Sequence, residues 1–155
     1  MKFICDDMLG KLAKLLRAAG YDTYYQKDIQ DHRLLRLALE EERVIVTKDR
    51  KLVEVRTLPS YILIGADRPL DQLEELRQKA GLHFEKDRIF SRCIECNLVL
   101  APIEKEKVKE KVYPYVYQTQ EKFWHCPGCD RIYWAGTHIQ RMREKFKSTG
   151  LTQGE

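Results

Sequence analysis

Cys93-Ile94-Glu95-Cys96 and Cys126-Pro127-Gly128-Cys129 divide this chain of 155 residues into two parts. Each segment places two thiols on one short turn, which is half of a tetrahedral zinc site. The 29 residues between the pairs suffice for a hairpin excursion. Two disulfides or a redox CxxC are the alternatives, but a redox CxxC belongs to a βαβ pattern that neither segment shows. Replacement of one cysteine by His125 or His138 is a further alternative. The predicted ligands of a structural Zn²⁺ are Cys93, Cys96, Cys126 and Cys129.

The first part, residues 1–88, alternates short apolar segments with helical patterns. Helices are predicted from Met8 to a stop near Gly20, from Asp31 as an N-cap, and from Pro69 to near Gly81. Strands alternating with helices imply a parallel sheet with right-handed crossovers. The sequence therefore predicts an α/β domain over residues 1–88, with strands at residues 2–5, 21–26, 43–47 and 61–64.

The second part, residues 89–147, is predicted to be a small zinc-ribbon module followed by a basic amphipathic helix. A mixed-charge run at residues 104–111 favours a solvated helix or loop. Residues 148–155 are expected to form a disordered tail. The fifth cysteine, Cys5, is interpreted as a small buried strand residue rather than a nucleophile.

The composition favours a cytoplasmic protein outside the membrane. Asp6 and Asp7 come too early for a secretory signal, and no apolar run approaches the roughly 18 residues that a membrane span requires. Four metal-bound thiolates fit a reducing compartment. The formal net charge of +4 is small, so local clusters have to carry any argument for nucleic acid.

Acidic residues follow the ends of three predicted strands: Asp6, then Asp31 (or Asp28), then Asp49. Ligands bind beyond the carboxyl ends of the strands in open parallel sheets. Carboxylates gathered there repel one another unless a cation lies between them, and oxygen ligands select Mg²⁺ or Mn²⁺. Such an ion activates water and stabilises a phosphodiester transition state. Each aspartate has a plainer alternative, as a helix cap or a turn residue.

Cations near these acids are predicted to bind phosphate, with ordinary solubilising charge as the alternative. Lys48 and Arg50 flank Asp49, and Lys11 lies on the helix that follows Asp6. Thr47 either hydrogen-bonds a carboxylate, positions water, or is a plain strand residue.

Aromatic and basic residues around the cysteines suit single-stranded RNA, because bases stack on rings and guanidinium groups meet phosphates. Arg92 is the arginine predicted to bind RNA there. The alternative is that the rings form the small core of the ribbon or its seam with the first part. The aromatic residues concerned are Phe123, Trp124, Tyr133 and Trp134.

Four segments of the chain together match a known family pattern. They are Phe3-Ile4-Cys5-Asp6-Asp7-Met8-Leu9-Gly10-Lys11-Leu12-Ala13, Thr47-Lys48-Asp49-Arg50-Lys51-Leu52, Ser91-Arg92-Cys93-Ile94-Glu95-Cys96-Asn97 and Cys126-Pro127-Gly128-Cys129-Asp130-Arg131-Ile132-Tyr133-Trp134-Ala135-Gly136-Thr137-His138. With these segments the chain resembles the Mut7-C RNase domain family over about residues 2–147. The resemblance implies a PIN-like nuclease fold joined to a zinc ribbon, and RNA cleavage with Mg²⁺ or Mn²⁺ held by carboxylates.

Three aspartates match the family pattern by position. Asp6 is similar to the first PIN aspartate, Asp31 to the one that opens the helix before the third strand, and Asp49 to the late one. Only 24 residues separate Asp6 from Asp31, so the section that usually carries another acid is compressed. Asp28 and Asp7 are the candidates to replace that acid.

The sequence therefore predicts a metal-dependent ribonuclease that acts on single-stranded RNA. The alternative is a zinc-ribbon RNA-binding or adaptor protein with a weak or inactive PIN-like half, which the reduced acid set favours. A DNA-directed nuclease is a third interpretation. No feature of the sequence identifies a protein partner.

Overall fold

The alternating pattern of the first part builds a four-stranded parallel sheet, and the cysteine-containing part builds a separate three-stranded antiparallel sheet. The computed structural model describes residues 1–54 and 60–148. The helices are α1 (Gly10–Ala18), α2 (Asp31–Glu40), α3 (Arg50–Val53), α4 (Pro69–Ala80), α5 (Pro114–Thr119) and α6 (Thr137–Ser148). The strands are β1 (Phe3–Cys5), β2 (Thr23–Tyr24), β3 (Val44–Thr47), β4 (Tyr61–Leu63), β5 (Ala101–Ile103), β6 (Phe123–His125) and β7 (Ile132–Tyr133).

The parallel sheet has the strand order β2-β1-β3-β4. Ile4 pairs with Ile45 across the centre of the sheet, and both side chains pack with Leu34 of α2 on one face. Phe3 and Cys5 point to the opposite face, where α1 packs against α4. Burial on both faces explains why β1 is apolar throughout. The order reverses at β1, so the crevice beyond the ends of β1 and β3 is a topological switch point.

The end of α1 is crossed closely by the segment that leads into the second part. Gly20 has a φ of 96°, and a Cβ at this position would lie 2.5 Å from the carbonyl oxygen of Arg88. The Phe90 N–H donates to the Ala18 carbonyl at 2.7 Å. Glycine is required here by both the left-handed backbone and the lack of space.

The C-terminal helix packs into the core of the first part. A row of rings runs from Phe3 through Tyr21 and Phe84 to Phe146 of α6, with centroid separations of 5.7 to 5.8 Å. Phe146 is fully buried, and Met142 packs against the same cluster. One core cluster therefore contains residues from both sides of residue 88, while the two sheets lie on either side of it.

Most predicted elements are confirmed, with differences at their ends. The predicted basic helix is α6, and the mixed-charge run contains a short 3₁₀ helix at Lys105–Val108. Asp31 is not an N-cap as predicted, because Gln30 has the extended capping conformation and Asp31 is the first helical residue. Helices α3 and α5 were not predicted, since they are only 4 and 6 residues long. The tail predicted at residues 148–155 lies outside the described residues, apart from Ser148. Within the described ranges, no helix is long and apolar enough to span a bilayer.

Candidate functional site

The two cysteine segments fold into the same local turn. In each, the carbonyl of the first cysteine accepts an N–H bond from the residue four positions later, at 2.8 Å from Asn97 to Cys93 and 2.9 Å from Asp130 to Cys126. Asn97 and Asp130 have φ values of 68° and 59°. Asparagine and aspartate tolerate this left-handed conformation better than other residues with a side chain. The turn explains both the CxxC spacing and the residue that follows it.

The four sulfur atoms are arranged as a zinc ligand set. Cys93, Cys96, Cys126 and Cys129 place their Sγ atoms within 4.8 Å of one another. A tetrahedral site with Zn–S bonds of about 2.3 Å requires S–S separations of about 3.8 Å, and Cys93 Sγ lies 3.8 Å from Cys129 Sγ. The N–H groups of Cys96 and Gly128 lie 3.4 Å from the sulfur atoms of Cys93 and Cys126. The donor set therefore fits Zn²⁺, with backbone amides as supporting donors.

All five cysteines are free thiols, so the disulfide alternative is not realised in this structure. His125 lies in β6 and is not a member of the ligand group. The side chain of His138, the other alternative ligand, lies outside the described part of the chain. The Cys5 side chain is fully buried in β1, where burial and the neighbouring Asp6 carboxylate raise the pKa of its thiol. Cys5 is thus an inert core residue, as predicted.

The Tyr133 hydroxyl lies 3.1 Å from Cys93 Sγ. Burial alone raises the pKa of the Cys93 thiol, but the hydrogen bonds from Tyr133 and from backbone amides outweigh it and lower the pKa to about 7. In the same cluster, the hydrogen bond with Cys129 and burial raise the pKa of Cys96 to about 12. The hydrogen bonds to Cys93 therefore favour the thiolate, the form that binds metals, at this one cysteine.

Arg17 of α1 hydrogen-bonds the first cysteine turn, at residues 93–97, to the parallel-sheet half. Its side chain is buried, and its Nε donates to the carbonyl of Thr23 at 2.9 Å. Its Nη1 donates to the carbonyls of Ile94 and Glu95 at 2.9 and 3.1 Å. Lys14, one helical turn earlier, adds an ion pair to the Glu95 carboxylate at 3.1 Å.

A second attachment runs through Asn97. Its amide group accepts from the Thr23 N–H at 3.0 Å and donates to the Asp22 carboxylate at 2.7 Å. Asp22 is also paired with the buried Arg43 at 2.8 Å. Burial raises the pKa of Asp22, but the hydrogen bonds from Arg43 and Asn97 outweigh it and the net pKa is lowered. The turn at residues 93–97, which we call the zinc turn, is therefore held to the first half by directed hydrogen bonds.

Among the predicted acids, Asp6 has the most ordered surroundings. It follows β1 at the switch point and is 8% exposed. Its Oδ1 accepts from the Met8 N–H at 3.0 Å, and its Oδ2 accepts from the Thr47 hydroxyl and from the Lys48 N–H at 3.1 Å. Of the alternatives considered for Thr47, the structure shows the hydrogen bond to a carboxylate. These donors fix the Asp6 carboxylate in one orientation.

Asp49 is joined to Asp6 through Thr47. The Asp49 N–H donates to Thr47 Oγ1 at 2.9 Å, while its carboxylate caps α3 by accepting from the Lys51 N–H at 2.9 Å. The turn alternative for Asp49 is therefore realised, because the side chain serves as an N-cap. The half-buried Asp49 carboxylate accepts no other hydrogen bond from the described residues.

Asp7 and Asp28 meet on the β2 side of the same edge. The Asp28 N–H donates to Asp7 Oδ1 at 2.6 Å, with Asp28 in a left-handed conformation at φ 58°. The Tyr25 hydroxyl donates to the Asp7 carbonyl at 2.8 Å. Burial raises the pKa of Tyr25, and the Asp7 and Asp28 carboxylates add to that rise. Asp31 is exposed in the first turn of α2, which begins at this edge.

The three matched aspartates do not converge into one ligand set. Within residues 1–54 and 60–148, the cysteines form the one group of three or more histidine, cysteine or acidic side chains whose ligand atoms lie within 4.8 Å. Asp6 and Asp49 both hydrogen-bond Thr47, and the Asp28 N–H donates to Asp7. Asp31 belongs to α2, which packs on the sheet face opposite to α1. The structure therefore offers an acidic edge with one fixed carboxylate.

The predicted phosphate-binding cations have different surroundings. Lys48 pairs with the exposed Asp67 at 2.7 Å, and Arg92 donates to the Asn97 carbonyl at 2.7 Å within the zinc turn. Arg50 is exposed as the first residue of α3, and Lys11 is exposed on α1. Lys11 also lines a cavity between the two halves.

The structure places one of the four aromatic residues in the core of the ribbon and the other three around a cavity. Phe123 is buried and lies 6.4 Å from the Trp134 ring, so it belongs to the core of the ribbon. Trp124, Tyr133 and Trp134 are half-buried and line a cavity of about 230 Å³.

Sequence reasoning missed three residues of this region. Asp67 lies four residues after the end of β4, so extending the strand-end rule to the loop beyond the strand would have found it. Asn97 is suggested by its place directly after a CxxC turn, because asparagine favours left-handed backbone. Arg17 has no local marker, since its partners lie 77 and 78 residues away.

Comparison with known proteins identifies the family. A family model described as the Mut7-C RNAse domain matches residues 1–146. Searches of the curated proteins and of the solved structures found no significant match. The family's name points to nuclease activity with RNA as the substrate. Because the match spans almost the whole sequence, the chain belongs to the Mut7-C RNase domain family.

Proposed function

We propose that this protein is a metal-dependent ribonuclease whose site is the crevice beyond the carboxyl ends of β1 and β3. The observation that carries the proposal is the oriented Asp6 carboxylate at the switch point, held by the Thr47 hydroxyl and two backbone amides. Open parallel sheets bind ligands at this place. Membership of a family named for a ribonuclease supplies the substrate class. The proposal includes a PIN-like classification of the first half, a cytoplasmic location and single-stranded RNA as substrate.

The acids of the edge fit a hydrated Mg²⁺ or Mn²⁺ better than a fully protein-enclosed one. An ionised carboxylate has about four acceptor positions, and three of those on Asp6 are taken by hydrogen bonds. One position on Oδ1 remains. Mg²⁺ usually keeps several waters and binds through one or two carboxylates together with substrate phosphates. Asp6 with Asp49 meets that requirement, and the further candidates are Asp7, Asp28 and Asp31.

The residues of the chain have separate roles in this proposal. A bound Mg²⁺ or Mn²⁺ supplies an activated water and positive charge at the phosphate. Thr47 donates to the Asp6 carboxylate and accepts from the Asp49 backbone N–H, so it orients the Asp6 carboxylate relative to the Asp49 backbone before an ion binds. Lys48, Arg50 and Lys11 add positive charge near the phosphodiester, although Lys48 must leave Asp67 to do so.

The zinc site has a structural role in the proposal. Four cysteines close the coordination shell of Zn²⁺, which leaves no position for substrate. The ion would fix the turn that contains Ile94 and Glu95, and through Arg17 it would fix α1. Arg92 donates one N–H group within this turn, and its other N–H groups and its charge would contribute to RNA binding.

The test is cleavage of an end-labelled single-stranded RNA by zinc-loaded protein, with and without added Mn²⁺. Asp49→Asn is the preferred variant, because asparagine caps a helix as well as aspartate does and the fold of α3 is kept. Asp6→Asn is the second variant. Glu40→Gln, an exposed acid at the other end of α2, is the matched control. Cleavage that requires Mn²⁺ and falls at least a hundredfold in both site variants, with the control unchanged, is expected. Equal cleavage in all four proteins would refute the proposal.

The second candidate function is an RNA-binding or adaptor protein with an inactive first half. It is favoured by one observation, that the acids of the described residues do not form a group of three ligands. Isothermal titration with Mn²⁺ separates the two functions. Binding that is lost in Asp6→Asn supports the ribonuclease, whereas no Mn²⁺ binding together with retained RNA binding supports the adaptor.

A further inference from the structure

A large cavity lies between the parallel-sheet half and the zinc turn. It has a volume of about 630 Å³ and is lined by α1, the first turn of α4, the zinc turn and α6. This volume is in the range of small-ligand sites. Its half-buried apolar floor includes Leu70, Phe90, Tyr133 and Met142. We call this feature the cationic cleft, because its exposed rim carries Lys11, Lys14, Arg68 and Lys145.

The charge of the rim favours an anionic ligand. Asp71 is the one acidic residue among the described lining residues. Lys14 is already paired with Glu95. Within the described ranges, Lys11 and Arg68 have no ion-pair partner, and both are exposed. Two free cations above an apolar floor form a surface for a ligand that is anionic on one side and apolar on the other.

The position of the cleft connects the two candidate sites. Lys11 lies in the first turn of α1, directly after the acidic segment that contains Asp6. Arg68 follows the carboxyl end of β4 at the same edge of the sheet. At the other end of α1, the lining residues Ile94 and Tyr133 belong to the zinc half, and the Tyr133 hydroxyl contacts the ligand Cys93. The cleft therefore begins beside the acidic edge and ends at the zinc turn.

We infer that the cationic cleft binds the single-stranded RNA next to the phosphodiester that is cut, with phosphates at Lys11 and Arg68 and a base against the floor. Single-stranded RNA combines spaced negative charges with flat apolar bases that stack on aromatic side chains. Phe90 and Tyr133 supply rings there. An acidic apolar peptide has similar chemistry, but the continuity of the cleft with the acidic edge favours the substrate. The inference rests on the proposed function for the nature of its ligand.

The test measures RNA binding separately from cleavage. Fluorescence anisotropy with a labelled single-stranded oligoribonucleotide is recorded without added divalent ions, so that chemistry does not contribute. Each phosphate contact to a single strand adds about 0.7 to the slope of log K against log salt. The double variant Lys11→Gln with Arg68→Gln should therefore lower the slope by about 1.4, and weaken binding by about tenfold at 0.15 M salt.

A second variant tests the floor. Leu70→Glu places a carboxylate in the cleft, and an acid in the first turn of α4 suits the helix dipole, so the fold should be kept. Binding should weaken at least tenfold. The matched control is Arg36→Gln with Lys109→Gln, which removes two exposed cations that do not line the cleft. Its affinity should change less than threefold.

Cross-linking identifies the occupant directly. An RNA that carries 5-iodouridine should label Phe90 or Tyr133 under ultraviolet light. Parent-like affinity and salt slope in both cleft variants, or labels confined to another surface, would overturn the inference, and the cleft would then be tested with acidic peptides. Absence of any RNA binding by the parent protein would overturn it too. Loss of cleavage in Asp49→Asn with unchanged binding bears only on the proposed function, so the two failures are distinguishable.

Discussion

Replacing Arg17 by methionine should uncouple the two halves of the protein. The substitution removes hydrogen bonds to three carbonyls, those of Thr23, Ile94 and Glu95. A hydrogen bond to a charged group contributes about 1.5 to 3 kcal/mol. The full sum overstates the loss, because Ile94 and Glu95 are partly exposed and water replaces some of what is lost. We expect a decrease in the free energy of unfolding of about 3 to 5 kcal/mol.

Methionine does not rescue the site, although burying a guanidinium carries a cost that methionine avoids. The carbonyl of Thr23, a fully buried residue, would remain without its donor. Such a group costs about 1 to 3 kcal/mol when it is left unpaired. A change of this size is a large share of a typical stability of about 5 to 15 kcal/mol.

The assay is urea unfolding of zinc-loaded protein, followed by two probes. Both tryptophans, Trp124 and Trp134, lie in the zinc half, so their fluorescence reports on that half. Circular dichroism at 222 nm reports mainly on the helices of the first half. The two transitions should coincide in the parent and separate in Arg17→Met. The control is Arg36→Met, since the side chain of Arg36 is 59% exposed and its loss should change stability by less than about 0.5 kcal/mol.

Two outcomes would refute this reasoning. The first is a decrease of less than about 1 kcal/mol in the free energy of unfolding together with coincident transitions, which would mean that the three hydrogen bonds do not couple the two halves. The second concerns zinc. Removing the ion should loosen the turn that presents Ile94 and Glu95, so the effect of Arg17→Met should become smaller in zinc-free protein. An equal effect with and without zinc would show that the turn holds its shape independently of the metal.

Three further predictions concern the backbone, the hydrogen-bonded acid and the metal. Gly20→Ala should lower the free energy of unfolding by more than about 2 kcal/mol, because the backbone of residue 20 is left-handed and the new Cβ would clash with the Arg88 carbonyl oxygen. Gly81 has a φ of 65° but open space around it, so Gly81→Ala should cost only about 1 kcal/mol in the same urea assay. Folding lowers the pKa of Asp22 from 3.8, so the stabilisation by its carboxylate is present above that pH and is lost as the pH falls through the lowered value. The urea midpoints of the parent and of Asp22→Asn should therefore differ most near pH 7 and converge in acid. A difference that stays constant with pH would contradict this direction. Elemental analysis should find one zinc per chain, retained in Cys5→Ser and lost in Cys93→Ser; zinc loss in both variants would argue against the four-cysteine site.

The sequence predicted those features whose cause is local. The zinc ligands follow from a spacing that places two thiols on one turn, and α4 follows from Pro69 at its start and Gly81 at its end. The helix cap at Gln30 was missed, because aspartate is the stronger capping residue by preference and only the backbone conformation distinguishes the two positions. The short α3 is too brief to have a period, although Asp49 at its start is a good capping residue.

The contacts that join the two halves were not predictable in the same way. Phe146 of α6 contacts the ring of Phe84, which lies 62 positions earlier in the sequence. The periodicity of α6 shows that the helix has an apolar face but not which surface that face packs against. The relation of Asp6 to Asp49 illustrates the limit for the site. Strand-end reasoning placed both at one edge, but it could not show that Thr47 hydrogen-bonds both residues, because that depends on the register of β1 against β3.

Helix α1 connects the acidic edge to the zinc turn. It begins directly after the acidic segment, and its nine residues span about 13 Å. Lys11, Lys14 and Arg17 recur every three residues along it, at the rim of the cleft, at Glu95 and at the carbonyls of the zinc turn. If RNA lies in the cationic cleft, zinc acts on binding through the position of α1 and of the zinc turn that Arg17 attaches to it, and without touching RNA. Zinc removal and Arg17→Met should then weaken RNA binding by the same factor, and their combination should add nothing further. Independent, additive losses would show that the zinc half binds RNA through a surface of its own.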